Sequence, residues 1–112
     1  MGTKLRNELL PGTLDMLVLR ALQRGATHGY AIAQFLRQVS GEFLQVEEGS
    51  LYPALQRLEL NGYIAGEWST TLNNRRARTY KLTPAGRKQL QAEISRYEQM
   101  TTAIDSVLGY AE

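Results

Sequence analysis

The sequence contains no cysteine and a single histidine, His28, among its 112 residues. The absence of cysteine excludes a disulfide scaffold, a thiolate zinc site and a cysteine nucleophile. His28 lies in the segment THGYAI at the start of a predicted helix, where a capping or packing role is favoured over catalysis. The chain also lacks a carboxylate pair, a glycine-rich phosphate loop and a cluster with metal-ligand spacing. These absences argue against an enzyme, and no cofactor or metal site is predicted.

Long hydrophobic runs are absent as well. The first residues, MGTKLRNELLPG, contain no apolar stretch long enough for a signal peptide, and no later segment approaches the length of a membrane span. The initial Met-Gly is followed by Arg6 at the position where N-myristoylation requires Ser or Thr. The sequence therefore predicts a soluble, cytoplasmic protein that has no membrane partner.

Acidic residues are missing from one part of the chain. Segment 69–92 contains six basic residues and no Asp or Glu, although the net charge of the whole chain is only +2. Three of these six, Arg75, Arg76 and Arg78, fall within the short stretch NNRRARTYKL. Guanidinium groups on a loop cannot stabilise a core, and they suit bidentate contact with phosphate. The pattern favours a nucleic-acid partner, and the alternative is a basic loop that serves only solubility.

Hydrophobic periodicity predicts three short helices in the first half of the chain. The first follows Thr13, which is the predicted N-cap, and closes at residues 24–25. The second opens at residues 27–28 and ends at Ser40-Gly41, and the third extends over residues 49–61. Each helix carries one apolar stripe, so the three are expected to pack around a shared core.

The second half of the chain predicts a hairpin and a long helix. Segment 43–46 is either an apolar linker or a short strand. Two strand-like segments, YIAGEWS and ARTYKL, are joined by the polar loop TTLNNRR. Thr83 as N-cap and Pro84 at the first helical position then predict one helix that continues to about Leu108.

This order of elements is that of a winged helix-turn-helix. We expect a mainly α (α+β) fold, with a winged helix-turn-helix DNA-binding domain over residues 1–83 and a C-terminal dimerisation helix over residues 84–112. The architecture alone does not fix the function, because winged helices also serve as protein-interaction modules without DNA binding. That alternative predicts an apolar or acidic wing, whereas this hairpin is cationic.

The third predicted helix has two different faces. One face is apolar and consists of Leu51, Ala54, Leu55 and Leu58. The other presents an aromatic ring, a proline and hydrogen-bonding groups, from Ser50, Tyr52, Pro53, Gln56 and Arg57. Its N-terminal amides favour a phosphate, whereas Glu47 and Glu48 would repel DNA unless they stabilise the helix start. For Tyr52 the alternative is packing against the hairpin, and for Arg57 it is a charge pair two or four residues away on the same helix.

Three stretches resemble the PadR family of bacterial transcriptional regulators: LLPGTLDMLVLRALQRGATHGYAIAQFL, EEGSLYPALQRLELNGYI and RRARTYKLTPAGRKQL. The single helix after the hairpin resembles the short subclass of that family. The resemblance implies a homodimeric repressor that binds a pseudo-palindromic double-stranded DNA operator. Carried over by position, Ser50, Tyr52 and Pro53 would face DNA at the start of the recognition helix. Wing contacts would come from Arg75, Arg76 and Arg78.

The last predicted helix carries a stripe with alternating spacings of four and three, formed by Leu90, Ile94, Tyr97, Thr101, Ile104 and Leu108. This seam predicts dimerisation, and the alternative is packing along the first helix alone. In similar short PadR proteins the dimer interface can hold a planar aromatic small molecule. The resemblance thus implies Tyr97 and Thr101 as effector-binding residues, with Trp68 as a further candidate. Alternatively, Tyr97 only packs in the seam with its hydroxyl in water.

Overall fold

The computed structural model describes residues 11–70 and 72–110. Its elements, in chain order, are α1 (Pro11–Gln23), β1 (Thr27–His28), α2 (Gly29–Val39), α3 (Glu48–Leu60), β2 (Ile64–Thr70), β3 (Arg76–Leu82) and α4 (Pro84–Leu108). The strands form an antiparallel sheet in the order β1-β3-β2. We call the β2–β3 hairpin the wing. The predicted winged helix-turn-helix with a long C-terminal helix is confirmed.

A single core lies around α1, which contacts α2, α3, β3 and α4. Its largest fully buried side chains are Val18, Leu19, Ile32, Leu51, Leu55, Ile64 and Leu90. Each buried aliphatic side chain of this size contributes about 1.5–3 kcal/mol relative to an exposed one. The core therefore fixes α3 and the base of the wing against the same helix.

Two of the predicted helix starts are confirmed by their capping hydrogen bonds. His28 Nδ1 accepts a hydrogen bond from the Ala31 amide at 3.4 Å, so the one histidine caps α2. Thr83 Oγ1 accepts from the Gly86 amide at 3.0 Å, and Pro84 begins α4 as expected. Such caps satisfy amides that have no partner within the helix. The last helix also ends at the predicted residue, Leu108.

The end of the second helix, the limits of the third helix and the two hairpin strands lie within about one residue of the predictions, whereas three other local features differ. The first helix begins at Pro11, so Thr13 lies inside it and is not its N-cap. Residues 27–28, immediately before α2, also form β1, a strand that was not predicted and that pairs with Tyr80 and Thr79 of β3. Segment 43–46 is not a strand. A two-residue strand has no periodicity of its own, and only its pairing with β3 defines it.

The base of the wing is held tightly to the start of α4. The Thr83 amide donates a hydrogen bond to the Tyr63 carbonyl at 3.1 Å, and Thr83 Oγ1 donates to the Gly62 carbonyl at 2.7 Å. Gly86 is buried here, and a Cβ at this position would overlap the Tyr63 carbonyl. Only glycine permits this approach. None of the described helices is long and apolar enough to cross a membrane.

Candidate nucleic-acid interface

Helix α3, the predicted recognition helix, has the two faces that its sequence predicts. Its apolar side chains are buried: Leu51, Ala54, Leu55 and Leu58. The opposite side is exposed and carries Ser50, Tyr52, Pro53, Gln56 and Arg57. Glu47 is the N-cap, but its side chain makes no capping hydrogen bond. Glu48 lies in the first turn, where its charge complements the helix dipole. The structure therefore presents the predicted α3 residues on one surface.

Tyr52 is held against the start of α2. A Cβ added to Gly29 would lie 3.0 Å from Cε1 of Tyr52 and 3.1 Å from its hydroxyl oxygen. The glycine thus leaves room for the ring, while 44% of the tyrosine stays exposed. Tyr52 is accordingly both packed and accessible, which suits a side chain that must keep one orientation while it contacts a ligand.

Arg57 has a charged partner outside its own helix. Its Nη2 atom lies 2.7 Å from Oδ1 of Asp15 on α1, 42 residues earlier in the chain. The alternative of a partner within α3 is therefore wrong. The pair ties α3 to α1, although an ion pair this exposed typically contributes only about 0–1 kcal/mol to stability.

The three wing arginines fall into two groups. Arg75 and Arg76 are exposed where β3 begins, and the Arg76 guanidinium lies 4.5 Å from the ring centroid of Trp68. Arg78 is partly buried, and its Nη2 atom lies 2.5 Å from Oε2 of Glu59 on α3. The sequence provided no acidic partner near these arginines. The fold brings one to Arg78 from 19 residues away.

Together these side chains surround an open cleft of about 930 Å³ between the wing and helices α2 and α3, which we call the wing–helix cleft. Its aromatic and cationic lining includes Tyr30, Tyr52, Trp68, Arg75, Arg76 and Tyr80. Among the described residues that line it, none is acidic. Guanidinium groups beside aromatic rings can contact phosphate and the sugars and bases attached to it.

Tyr80 supplies a hydroxyl at the floor of the cleft. Burial raises the pKa of this hydroxyl above its ordinary value, and the neighbouring Arg78 guanidinium opposes the change. A tyrosine hydroxyl with its ordinary pKa is already protonated at physiological pH, and burial moves Tyr80 further from ionisation. The cationic character of the cleft is therefore not offset by a phenolate.

Residues 18–92 match the sequence profile of the transcriptional regulator PadR-like family. The chain belongs to this family of transcriptional regulators. The predicted resemblance to PadR proteins is thereby confirmed, because the match contains α2, α3, the wing and the start of α4.

Transcriptional regulators are also found among the solved structures and curated proteins that are similar to this chain. The structure of a transcriptional regulator from Clostridium thermocellum is 30% identical with a TM-score of 0.79, covering 85% of this chain and 92% of that one. The structure of Bacillus subtilis PadR in complex with operator DNA shares the fold at 24% identity and a TM-score of 0.67. The match covers 73% of this chain and 46% of that one. The negative transcriptional regulator PadR of Bacillus subtilis is 23% identical over 91 residues, which are 81% of this chain and 50% of that protein.

In this PadR-like chain the predicted effector residues lie in two places. Tyr97 is half exposed on α4 and lines a shallow depression of about 250 Å³, together with Thr13, Met16 and Met100. Thr101 follows one turn later on α4 and is partly buried. Trp68 lines the wing–helix cleft instead. The single chain therefore does not bring Trp68 and Tyr97 into one cavity.

The predicted dimer seam on α4 divides at Ile94. Leu90 is fully buried within the single chain and Ile94 packs against the same core, because the first turns of α4 lie on α1. Leu90 is therefore a core residue and not an exposed seam residue, which corrects the prediction. Beyond Ile94 the large apolar side chains are exposed: Tyr97, Met100, Ile104, Val107 and Leu108. We call this part the α4 apolar face.

Sequence reasoning missed Glu59 as part of the interface. Glu59 follows Tyr52 by seven residues, or two helical turns, so both lie on the side of α3 that faces the wing. The available signal was this spacing, which puts the acidic side chain of Glu59 on the same side of α3 as Tyr52. Its partner Arg78 could not be named from the sequence, since the register of β3 against α3 is a tertiary property.

Proposed function

We propose that this PadR-like regulator binds a pseudo-palindromic operator in double-stranded DNA as a homodimer and represses transcription. The observation that carries the proposal is the placement of the exposed face of α3 beside the cationic wing, around one cleft that has no acidic lining residue among those described. In this arrangement α3 reads base edges in the major groove. The wing contacts the flanking phosphates or the minor groove.

The residues assigned to DNA follow from that placement. Ser50, Tyr52 and Pro53 are exposed in the N-terminal half of α3, the part of a recognition helix that meets base edges, and Gln56 follows one turn after Tyr52 on the same side. Arg75 and Arg76 are assigned to the phosphates. Exposed guanidinium groups release counterions when they bind DNA, so they supply affinity that depends on salt.

Homodimerisation is supported by the α4 apolar face. Large apolar side chains at helical spacing are exposed on the last half of α4. Burial of this apolar surface requires contact with another molecule. A second copy related by a twofold axis would bury the same face of both helices. Two recognition helices and two wings would then match the two half-sites of a palindromic operator.

Repression and effector control are the finer parts of the proposal. The Bacillus subtilis relative is named a negative regulator, and a protein that occupies an operator blocks access to it. We assign a planar aromatic effector to the dimer interface beside Tyr97 and Thr101, and we leave Trp68 out because it lines the wing–helix cleft. Such a ligand releases DNA only if it binds the DNA-incompetent arrangement of the dimer more tightly.

One experiment separates this function from a winged helix that binds only proteins. The full chain is used to select bound fragments from random-sequence DNA duplexes, and the enriched fragments are sequenced. A DNA-binding homodimer yields an enriched motif with twofold symmetry. Failure to enrich any motif above the input library would contradict the proposal, and an asymmetric motif would contradict its dimeric part.

A further inference from the structure

Arg78 has a different environment from the other arginines of the wing. Only 28% of its side chain is exposed, and the carboxylate that it contacts belongs to Glu59, whose side chain is 31% exposed. Its guanidinium also lies 5.3 Å from the ring centroid of Trp68, the residue directly opposite Arg78 in the wing. The Arg78 side chain is therefore partly enclosed by the protein and held by a carboxylate, although it also lines the wing–helix cleft.

A glycine in the neighbouring strand makes room for this arrangement. A Cβ added to Gly66 would lie 2.7 Å from Nε of Arg78 and 3.0 Å from its Cζ. The guanidinium therefore crosses β2 at the one position where no side chain blocks it. Glu59 and Trp68 contact the group, and Gly66 leaves the space that it occupies.

The contact between Arg78 and Glu59 joins two parts that must meet DNA together. Glu59 lies near the end of the recognition helix, while Arg78 lies in β3 two residues after Arg76. An arginine side chain that reaches back to α3 sets the angle between the helix and the wing. If this angle varies, the wing must be ordered during binding, and that ordering reduces affinity.

We infer that Arg78 is a positioning residue that fixes the wing to the recognition helix through Glu59, and that it is not itself a phosphate contact. The inference rests on the proposed DNA-binding function and revises the role that the sequence suggested for Arg78. The two roles predict opposite effects for a change at Glu59. Removing a carboxylate near DNA ordinarily strengthens binding, whereas removing the partner that positions the wing weakens it.

The test is a double-mutant cycle on the duplex obtained from the selection experiment. Glu59→Gln, Arg78→Gln and the double variant are compared with the wild type by fluorescence anisotropy of labelled DNA. We expect each single variant to bind roughly three- to tenfold more weakly, as for the loss of one ordering contact. We expect the double variant to bind no more weakly than the weaker single variant. Tighter DNA binding by Glu59→Gln would overturn the inference. So would an Arg78→Gln change that reduces DNA affinity by the same factor in the wild type and in Glu59→Gln.

Matched controls come from the same hairpin. Glu67→Gln removes an exposed carboxylate from β2 and is expected to leave binding unchanged or strengthen it. Arg76→Gln removes an exposed arginine that is assigned to phosphate, so it should weaken binding and gives the size of a direct wing contact for comparison. Glu59→Asp retains the charge and shortens the side chain, so it should weaken binding as Glu59→Gln does. Circular dichroism melting confirms that each variant is folded.

A second measurement does not depend on DNA. Trp68 is the only tryptophan of the chain, so its fluorescence anisotropy decay reports wing motion in the free protein. Glu59→Gln and Glu59→Asp should increase the fast component of this decay, while Glu67→Gln should not. An unchanged decay in both Glu59 variants would contradict the positioning role. If the wild type selects no DNA motif, the proposed function fails, and this decay still decides whether Glu59 holds the wing.

Discussion

The Arg57 guanidinium lies 2.7 Å from the Asp15 carboxylate and thereby joins the recognition helix to α1. The one basic side chain of α3 is therefore already paired with a carboxylate of the protein. The pair is partly exposed, so a phosphate that approaches α3 would compete with Asp15 for the same guanidinium. This competition distinguishes the Arg57 pair from the more enclosed Arg78 pair.

Asp15→Asn is expected to strengthen DNA binding. The change frees Arg57 for phosphate and removes a negative charge from the protein surface near α3. The free energy of unfolding should fall by no more than about 1 kcal/mol, because the ion pair is exposed. Operator affinity and urea unfolding are measured on the same preparations. If a fully folded Asp15→Asn variant binds the operator more weakly, the ion pair orients α3, and Asp15 does not compete with phosphate for Arg57.

Loss of the two wing-tip arginines should weaken binding to every duplex. Arg75→Ala with Arg76→Ala is expected to flatten the dependence of log K on log salt by up to about two units per subunit, if both contact phosphate. The control replaces both residues with lysine, which retains the charge and should retain the slope. An alanine pair with the wild-type slope would remove the wing tip from the interface.

Tyr52 should contribute to the choice of sequence more than to general affinity. Tyr52→Ala is expected to lose about 1–3 kcal/mol of discrimination between the selected operator and a scrambled duplex, if the ring lies against a base edge. Gly29→Ala should cause part of the same loss. The added Cβ would lie only 3.0 Å from Cε1 of Tyr52 and would therefore displace the ring. Tyr52→Phe retains the ring and serves as the control for the hydroxyl. Equal losses on both duplexes would contradict a base contact.

The α4 apolar face should hold the dimer. Ile104→Glu with Val107→Glu places charges on exposed apolar positions and is expected to give monomers in sedimentation analysis. Ile94 is a poor choice for this test, because it packs against the core and its replacement would disturb folding. Thr102→Glu with Ser106→Glu adds the same charge to the polar side of α4 and should leave the dimer intact. Dimers in both double variants would exclude α4 as the interface.

An aromatic effector should depend on Tyr97. A panel of planar dyes is titrated against the wild type and Tyr97→Ala, and dye fluorescence and operator binding are followed together. A regulatory dye should bind the wild type more tightly and weaken its operator binding. A tenfold reduction requires about 1.4 kcal/mol of coupling between the two sites. Equal dye affinity for both proteins, or binding that leaves the operator affinity unchanged, would contradict effector control through Tyr97.

The features that the sequence predicted well are those with local causes. Thr83 and Pro84 mark the start of α4 by capping chemistry that involves only adjacent residues. The two faces of α3 follow from helical spacing, and Leu51 and Tyr52 lie on the expected sides. The order of the elements also follows from such local signals.

The features that the sequence could not predict are set by contacts between distant segments. Glu59 and Arg78 meet only after the wing has folded over α3. Leu90 has the same spacing as the α4 seam, and only the packing of α4 on α1 shows that it is buried within its own chain. The role of Gly66 likewise depends on where the Arg78 side chain crosses β2.

The backbone of α4 at Gly86 lies directly against the Tyr63 carbonyl, so the start of this helix is fixed to the base of the wing while its far end projects away. Because no side chain separates the helix from the base of the hairpin, the two must rotate as one body. A helix of 25 residues extends about 37 Å, so a rotation of about 5° displaces its far end by about 3 Å. In the proposed homodimer, a small rotation where the two α4 helices meet would therefore move both wings and both α3 helices, and it would change the half-site spacing of the DNA that the dimer can bind.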